Sequence, residues 1–210
     1  DGQAWNRLLM VRGALQASDM FLVGSPGPVK FLQERYPGQR VFDVPMFLAS
    51  PLMRAPDAAP EFDVGFYGVL SPRRVDLLYA LRDGLPDLRF HAFTVFGYAP
   101  LAREISRCRV LLNLHHSTTL NTETRLWECL AAGRPVVSEP LDAPLYFPSS
   151  CVLQAGTEDG LRAAVRSALD RWQERGALGC NFIFKNYNEA KYAAAILERV
   201  EEARRAIQMP

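Results

Sequence analysis

The chain has 210 residues, of which 49% are hydrophobic and 22% charged, a length that suits one complete domain and part of a second. Its 24 basic and 23 acidic side chains leave a net charge of +1, so bulk charge gives no attraction to nucleic acid or to an anionic membrane. No apolar run approaches the roughly 18–20 residues that a membrane-spanning helix needs. The chain begins at Asp1 without a recognisable signal or transit peptide, and we expect it to be a piece of a longer protein.

Hydrophobic periodicity predicts strands that alternate with helices along most of the chain. A Pro/Ala-rich, aperiodic stretch at 51–60 interrupts this alternation and is typical of a linker or a surface loop. The predicted strands are 20–23, 41–44, 64–69, 88–95, 110–114, 136–138 and 151–154. The predicted helices are 5–16, 29–36, 72–83, 101–108, about 122–132, 158–172 and 188–207.

Strands that alternate with helices predict a parallel sheet covered on both faces, which is a doubly wound α/β layer. Residues 1–60 hold one strand–helix–strand unit and a crossover, and residues 61–210 form the main domain. Thr157 is a candidate N-cap, while Gly133 and Pro135 mark a helix end. Ligands of such sheets bind at the carboxyl ends of the strands. The candidate loops therefore follow the strands that end near positions 69, 95, 114 and 138.

The first of these loops carries two consecutive arginines. Gly68 ends the strand, Ser71 suits a helix cap, Pro72 suits the first turn, and Arg73 and Arg74 follow directly. Unpaired N–H groups at a helix N-terminus favour phosphate, and guanidinium groups match phosphate oxygens. The pattern indicates a phosphate site, and its alternative is an ordinary turn with two solvated arginines.

The loop after the third strand of the main domain is rich in hydroxyl groups and leads into a helix with Arg125 and Glu128 three residues apart on one face. A carboxylate there suits paired sugar hydroxyls, and an arginine suits a diphosphate. The alternative is an Arg125–Glu128 surface ion pair worth roughly a few tenths of a kcal/mol. In the loop after the second strand, Gly97 and Tyr98 form a turn that suits the edge of a flat base, although simple turn chemistry explains it equally well.

Histidines and cysteines give no metal pattern. His115 and His116 are adjacent after a strand and point to opposite sides if the strand continues, which argues against a shared metal. The chain has no Asp-x-Asp, His-x-x-x-His or His-Glu-x-x-His. Four cysteines stand singly at positions 108, 129, 151 and 180, and counting alone allows two disulfides. The first three lie in apolar or helical segments, where free thiols behave as small hydrophobic groups. We expect reduced cysteines, a cytoplasmic protein and no metal site.

Three segments together resemble a known family. They are 63–68 followed by the two arginines, 110–115, and 123–139, where Arg-x-x-Glu is followed by small residues, Gly and Pro before a strand. These segments resemble the C-terminal, Rossmann-like donor domain of GT-B glycosyltransferases, with closest similarity to the family-1-like group that includes spore-maturation CgeB-like proteins. The resemblance covers about residues 62–200.

The resemblance implies transfer of a sugar from a nucleotide-diphosphate sugar to a hydroxyl group of a glycan, lipid or protein, without a metal or other cofactor. Glu128 would hold the ribose, Arg73 or Arg74 with Thr124 and Arg125 would bind the diphosphate, and the Gly97 loop would border the base. The implied catalytic residues are Arg73, Arg125 and Glu128. The implied donor-binding residues are Gly68, Ser71, Arg74, Gly97, Tyr98, His115, Thr122, Glu123 and Thr124.

The chain departs from the family in two respects. Better-known retaining enzymes of this fold place two glutamates eight positions apart, but Leu120 stands eight before Glu128 and Glu123 only five before it. Residues 1–60 supply only a part of an acceptor domain, so we expect a remaining N-terminal domain as a partner of this chain. The alternatives are a non-catalytic nucleotide-sugar-binding module and a GT-B nucleotide-sugar epimerase, which needs carboxylates and histidines across the cleft.

Overall fold

The computed structural model describes residues 17–23, 26–44, 49–54, 59–116, 123–141 and 146–208. The predicted helix at 5–16 lies outside these ranges. The strands are β1 (Phe21–Val23), β2 (Val41–Asp43), β3 (Phe62–Tyr67), β4 (Phe90–Phe93), β5 (Cys108–Asn113), β6 (Val136–Ser138) and β7 (Val152–Gln154). The α-helices are α1 (Pro26–Arg35), α2 (Pro72–Gly84), α3 (Tyr98–Ser106), α4 (Arg125–Ala131), α5 (Glu158–Asp170), α6 (Trp172–Asn186) and α7 (Glu189–Gln208).

The chain divides into two compact units, one of residues 1–46 with 190–210 and one of residues 47–189. This differs from the expected division at residue 60, and two contacts explain the difference. Met53, in the stretch expected to be a linker, lies in a short 3-10 helix and is fully buried in the core of the second unit. In the first unit, the Arg199 guanidinium of α7 lies 5.8 Å from the Phe42 ring, so the last helix belongs with β2.

The first unit contains the predicted strand–helix–strand element. Strands β1 and β2 pair in parallel, and α1 connects them. Val23, Leu32 and Val41 form its small hydrophobic cluster.

The second unit contains a five-stranded sheet in the order β4-β3-β5-β6-β7, with every neighbouring pair parallel. Helices α2 and α5 cover one face, where Leu81 and Val165 pack on Val110 and Leu112 of β5. Helices α3, α4 and α6 cover the other face around Leu111. The predicted doubly wound α/β layer is confirmed.

Local sequence signals fix several helix ends as predicted. The Ser71 hydroxyl accepts a hydrogen bond from the Arg74 N–H (3.4 Å) and caps α2. The Thr157 hydroxyl accepts one from the Gly160 N–H (3.1 Å) and caps α5. Gly133 follows α4 with a φ of +70°, a left-handed conformation that glycine adopts without strain.

Helix α6 is not predicted from the sequence. The helix predicted for 158–172 ends at Asp170, and α6 begins two residues later at Trp172. Gly176 and Gly179 weaken the helical signal of this segment because glycine is a poor helix former. Both glycines serve close packing: a Cβ at Gly176 would overlap the carbonyl oxygen of Gly133, and one at Gly179 would lie 2.6 Å from the Leu130 side chain.

Two further properties concern the described part of the chain. No helix there has both the length and the apolar composition needed to cross a membrane. All four cysteines are free thiols, and Cys108, Cys129 and Cys151 are buried as expected.

We predict that Gly176→Ala lowers the free energy of unfolding of the second unit by about 1–3 kcal/mol, because the added methyl group overpacks the contact between α6 and the Gly133 turn. Urea denaturation followed by circular dichroism measures this loss. Gly156→Ala is the matched control, since a Cβ there meets only the Pro140 ring at an ordinary 3.6 Å. Equal stability of the two variants would contradict the prediction.

Candidate functional site

A cavity of about 410 Å³ opens at the carboxyl edge of the sheet in the second unit. It lies beside the point where the strand order reverses, since β3 has β4 on one side and β5 on the other. In open α/β sheets such a switch point is the usual ligand site. The structure brings five predicted site residues into the cavity wall, which are Gly68, Gly97, Tyr98, Thr124 and Glu128.

Among the described residues of this wall, Glu128 is the one carboxylate, and Tyr67 holds it in place. The Tyr67 hydroxyl donates a hydrogen bond to Oε2 of Glu128. Burial raises the pKa of Glu128 above its ordinary value, against the opposing effects of Tyr67 and Arg125. The Tyr67 ring stacks on Phe93, with 5.6 Å between the centroids, and burial raises the pKa of its hydroxyl.

Arg125 is almost completely buried beside the cavity. Its Nη1 donates to Oδ1 of Asn113 (3.0 Å), and its Nη2 pairs with Oε2 of Glu123 (2.9 Å). Its guanidinium lies 4.9 Å from the centre of the Phe66 ring. The alternative of an exposed Arg125–Glu128 ion pair is therefore wrong, because the carboxylate partner of Arg125 is Glu123 and the side chain is shielded from water.

Arg74 is buried on the other side of the same carboxylate. Its Nη2 pairs with Oε1 of Glu123 (2.7 Å), and its remaining nitrogens donate to the carbonyl oxygens of Leu114 (2.9 Å) and Val69 (3.0 Å). Burial, with the nearby Arg125, lowers its pKa. The alternative of two solvated arginines after Pro72 is wrong for Arg74, which is 4% exposed.

Arg73 forms a second ion pair, with Glu139. Its Nη2 contacts Oε1 of Glu139, and its Nη1 donates to Oε2 of Glu139 (3.0 Å) and to the His115 carbonyl (2.9 Å). The hydrogen bond with Glu139 raises the pKa of Arg73. Burial alone would raise the pKa of Glu139, but hydrogen bonds from Arg73 and from the His115 N–H (2.6 Å) outweigh it, and the pKa is lowered.

His115 is buried, whereas His116 is exposed, although the strand ends before both of them, at Asn113. Nε2 of His115 lies 2.7 Å from the Pro140 carbonyl oxygen, which can only accept, so Nε2 carries the proton. Within the described residues, no three His, Cys, Asp or Glu side chains are grouped to hold a metal ion.

Gly68 separates the cavity from Arg125. Its φ of +126° is unfavourable for other residues, and a Cβ there would lie 2.7 Å from Nη2 of Arg125. The absence of a side chain at this position is what brings the cavity close to the buried guanidinium.

The predicted residues thus fall into three groups, around the cavity, at Glu123 behind Gly68, and at Glu139. Ser71 caps α2, and Thr122 lies outside the described residues. Tyr67 and Glu139 also belong to the site, although neither is predicted as a site residue from the sequence. Their positions in the sequence could have indicated this role, because each stands at or directly after the carboxyl end of a predicted buried strand.

We predict that Arg74→Met lowers the free energy of unfolding by about 3 kcal/mol, because it removes one cation from a buried ionic bridge and takes the Arg74 hydrogen bonds away from two carbonyl oxygens. Urea denaturation measures the change. Arg166→Met removes an arginine from an exposed pair with Asp87 and serves as control, for which we expect little effect. A similar loss in both variants would show that the Arg74 bridge has no special weight.

Solved structures share this fold at low sequence identity. Sucrose-phosphate synthase from Thermosynechococcus elongatus matches with a TM-score of 0.65 and 14% identity over 96% of this chain and 62% of that one. A mutant of S. aureus TarM, solved with UDP, fondaparinux and α-GlcNAc-glycerol, matches with a TM-score of 0.66 and 12% identity over 90% and 44%. Anabaena HepE in complex with UDP-glucose matches with a TM-score of 0.64 and 14% identity, over 91% of this chain and 67% of that one.

The chain spans 62% and 44% of the length of the first two of these proteins. No curated protein sequence gives a match. A family model described as glycosyl transferase-like matches residues 52–203, which is more than half of the chain. The resemblance to GT-B, family-1-like glycosyltransferases is therefore confirmed, and the chain belongs to the glycosyl transferase-like family.

Proposed function

We propose that this chain is the donor-binding part of a glycosyltransferase, which transfers a sugar from a nucleoside-diphosphate sugar to a hydroxyl acceptor in glycan biosynthesis. Its family supports this proposal, as do the UDP and UDP-glucose bound in TarM and HepE. The observation that carries it is the cavity at the switch point, which has Glu128 in its wall and Arg125 behind Gly68.

The cavity suits the nucleoside half of the donor. Its volume of about 410 Å³ lies in the range of small-molecule sites. Phe96 and Tyr98 offer exposed aromatic surface to a flat base. The Glu128 carboxylate, held by Tyr67, accepts hydrogen bonds from the two ribose hydroxyls.

In this arrangement the diphosphate lies toward Gly68. The donor sugar, which is attached to the far end of the diphosphate, then points out of the cavity. In the transfer step, the acceptor hydroxyl oxygen attacks the anomeric carbon and loses its proton to the solvent. The bond from that carbon to the phosphate oxygen breaks, and the nucleoside diphosphate leaves with the electron pair. The guanidinium of Arg125 stabilises the negative charge that develops on the leaving phosphate. Hydrogen-bond donors that are held in place and shielded from water stabilise such a charge most strongly. We propose that this step uses no metal and takes place in the cytoplasm, which fits the free thiols.

The first test is binding. We predict that UDP, GDP or ADP raises the melting temperature of the chain and that the matching nucleotide sugar is hydrolysed or transferred. Glu128→Gln weakens the binding of that nucleoside diphosphate about 10–100-fold, because a hydrogen bond to a charged group is worth about 1.5–3 kcal/mol. Calorimetry measures the dissociation constants, and Glu61→Gln, an exposed acid at the opposite end of β3, is the control.

A 2′-deoxy nucleotide makes this test specific for the ribose. The wild-type protein should bind the 2′-deoxy form more weakly than the ribose form, and Glu128→Gln should bind both alike. Unchanged affinity in Glu128→Gln would remove Glu128 from the proposed site.

A second prediction concerns pH. Nucleotide binding requires the charged carboxylate of Glu128, so it weakens as the pH falls through the raised pKa of this group. The hydrogen bond from Tyr67 lowers that pKa, so Tyr67→Phe raises it and moves the loss of binding to higher pH. Dissociation constants measured between about pH 5 and pH 8 test the shift. The exposed Tyr79→Phe is the control, and an unmoved pH profile in Tyr67→Phe would count against this role of Tyr67.

A further inference from the structure

The arginines of the proposed diphosphate site carry no free charge within the described residues. Arg73 pairs with Glu139, and Arg74 and Arg125 share Glu123. Glu128, in the cavity wall, adds a third carboxylate. Three cations and three anions therefore balance, although a diphosphate brings at least two further negative charges.

We propose that Glu123 is an internal anion, which occupies the place of the donor diphosphate between Arg74 and Arg125 and is displaced when the donor binds. This inference rests on the proposed function. It assigns to Glu123 the role of a competitor for the site.

The geometry of the bridge supports this role. Oε1 of Glu123 lies 2.7 Å from Nη2 of Arg74, and Oε2 lies 2.9 Å from Nη2 of Arg125. One carboxylate thus presents two oxygens to two guanidiniums, as two oxygens of a phosphate group do. The contact imitates the one that a diphosphate needs.

The three side chains differ in how firmly they are held. The Arg74 guanidinium also donates to two backbone carbonyls, and that of Arg125 to the Asn113 amide. The Glu123 carboxylate, within the described part of the chain, is held by the two guanidiniums alone. Its side chain is 18% exposed, against 5% for Arg74 and 6% for Arg125. The anion is therefore the member that can leave while the cations stay.

The cavity gives a ligand access to this bridge. Gly68 lies in the cavity wall, and the space that its Cβ would fill is 2.7 Å from Nη2 of Arg125. Thr124, the neighbour of Glu123 in the chain, lines the same cavity. Nε of Arg125 is buried and has no hydrogen-bond partner among the described residues, so this guanidinium keeps a donor for an incoming oxygen.

Displacement has a measurable consequence for affinity. Suppose that a ligand binds only the state in which the Glu123 carboxylate no longer contacts the two guanidiniums. Its apparent dissociation constant is then the intrinsic constant divided by the fraction of molecules in that state. Removing the charge of Glu123 should abolish this penalty for ligands with a diphosphate and leave the nucleoside itself unaffected. A purely structural role predicts the opposite, because loss of Glu123 would then disorder both arginines and weaken binding.

The test compares UDP, uridine and inorganic pyrophosphate as ligands of the wild-type protein and of Glu123→Gln by calorimetry. We expect UDP and pyrophosphate to bind Glu123→Gln at least about tenfold more tightly, with uridine unchanged within about twofold. Glu61→Gln makes the same change of charge in an exposed pair far from the cavity and should bind all three like the wild type. Weaker or unchanged UDP binding in Glu123→Gln overturns the inference. If the wild type binds neither uridine nor UDP, the result counts against UDP as the donor nucleotide of the proposed function. The same comparison is then made with guanosine and GDP and with adenosine and ADP.

A crystal structure of the wild-type chain with UDP decides the matter if Glu123→Gln does not fold. We expect a phosphate oxygen within hydrogen-bond distance of Nη2 of Arg125 and the Glu123 carboxylate turned away from it. A bound diphosphate with Glu123 still bridging both guanidiniums overturns the inference and leaves the proposed function standing.

Discussion

The carboxyl edge of the sheet depends on two buried guanidiniums, those of Arg74 and Arg125, which share the carboxylate of Glu123. Burying two arginines is costly unless a counter-charge and hydrogen bonds replace the lost water. Backbone carbonyls after β3 and β5 and the Asn113 amide supply these hydrogen bonds. Through these hydrogen bonds the two arginines tie β3, β5, α2 and the start of α4 together.

Much of the fold could be predicted because its signals are local. Strand β5 is an apolar run whose alternate residues enter the two faces of the core, and Ser71, Gly133 and Thr157 mark helix ends by their own chemistry. Helix α6 could not be predicted in this way. Its glycines weaken the local helical preference, and they are tolerated because of a contact with the Gly133 turn that only the folded chain contains.

The candidate site was predictable to the extent that topology determines it. Parallel strands place their carboxyl ends at one edge, so Gly68, Tyr98 and Glu128 had to lie near one another. The pairing of charges was not predictable from spacing. The three-residue interval from Arg125 to Glu128 only predicts that both lie on one helix face. In the structure, Arg125 pairs instead with Glu123, which precedes the helix, and Glu128 accepts a hydrogen bond from Tyr67, which is distant in the sequence.

The even balance of charge at this edge has a consequence for selectivity. A pocket with unpaired guanidiniums attracts anions of any kind over a Debye length of about 8 Å, from free phosphate to RNA. Here each described arginine of the site already has an internal counter-ion. Recognition then relies on short-range contacts with the base and ribose. A phosphate group without its nucleoside makes none of these contacts, so little binding free energy is available to displace the internal counter-ion.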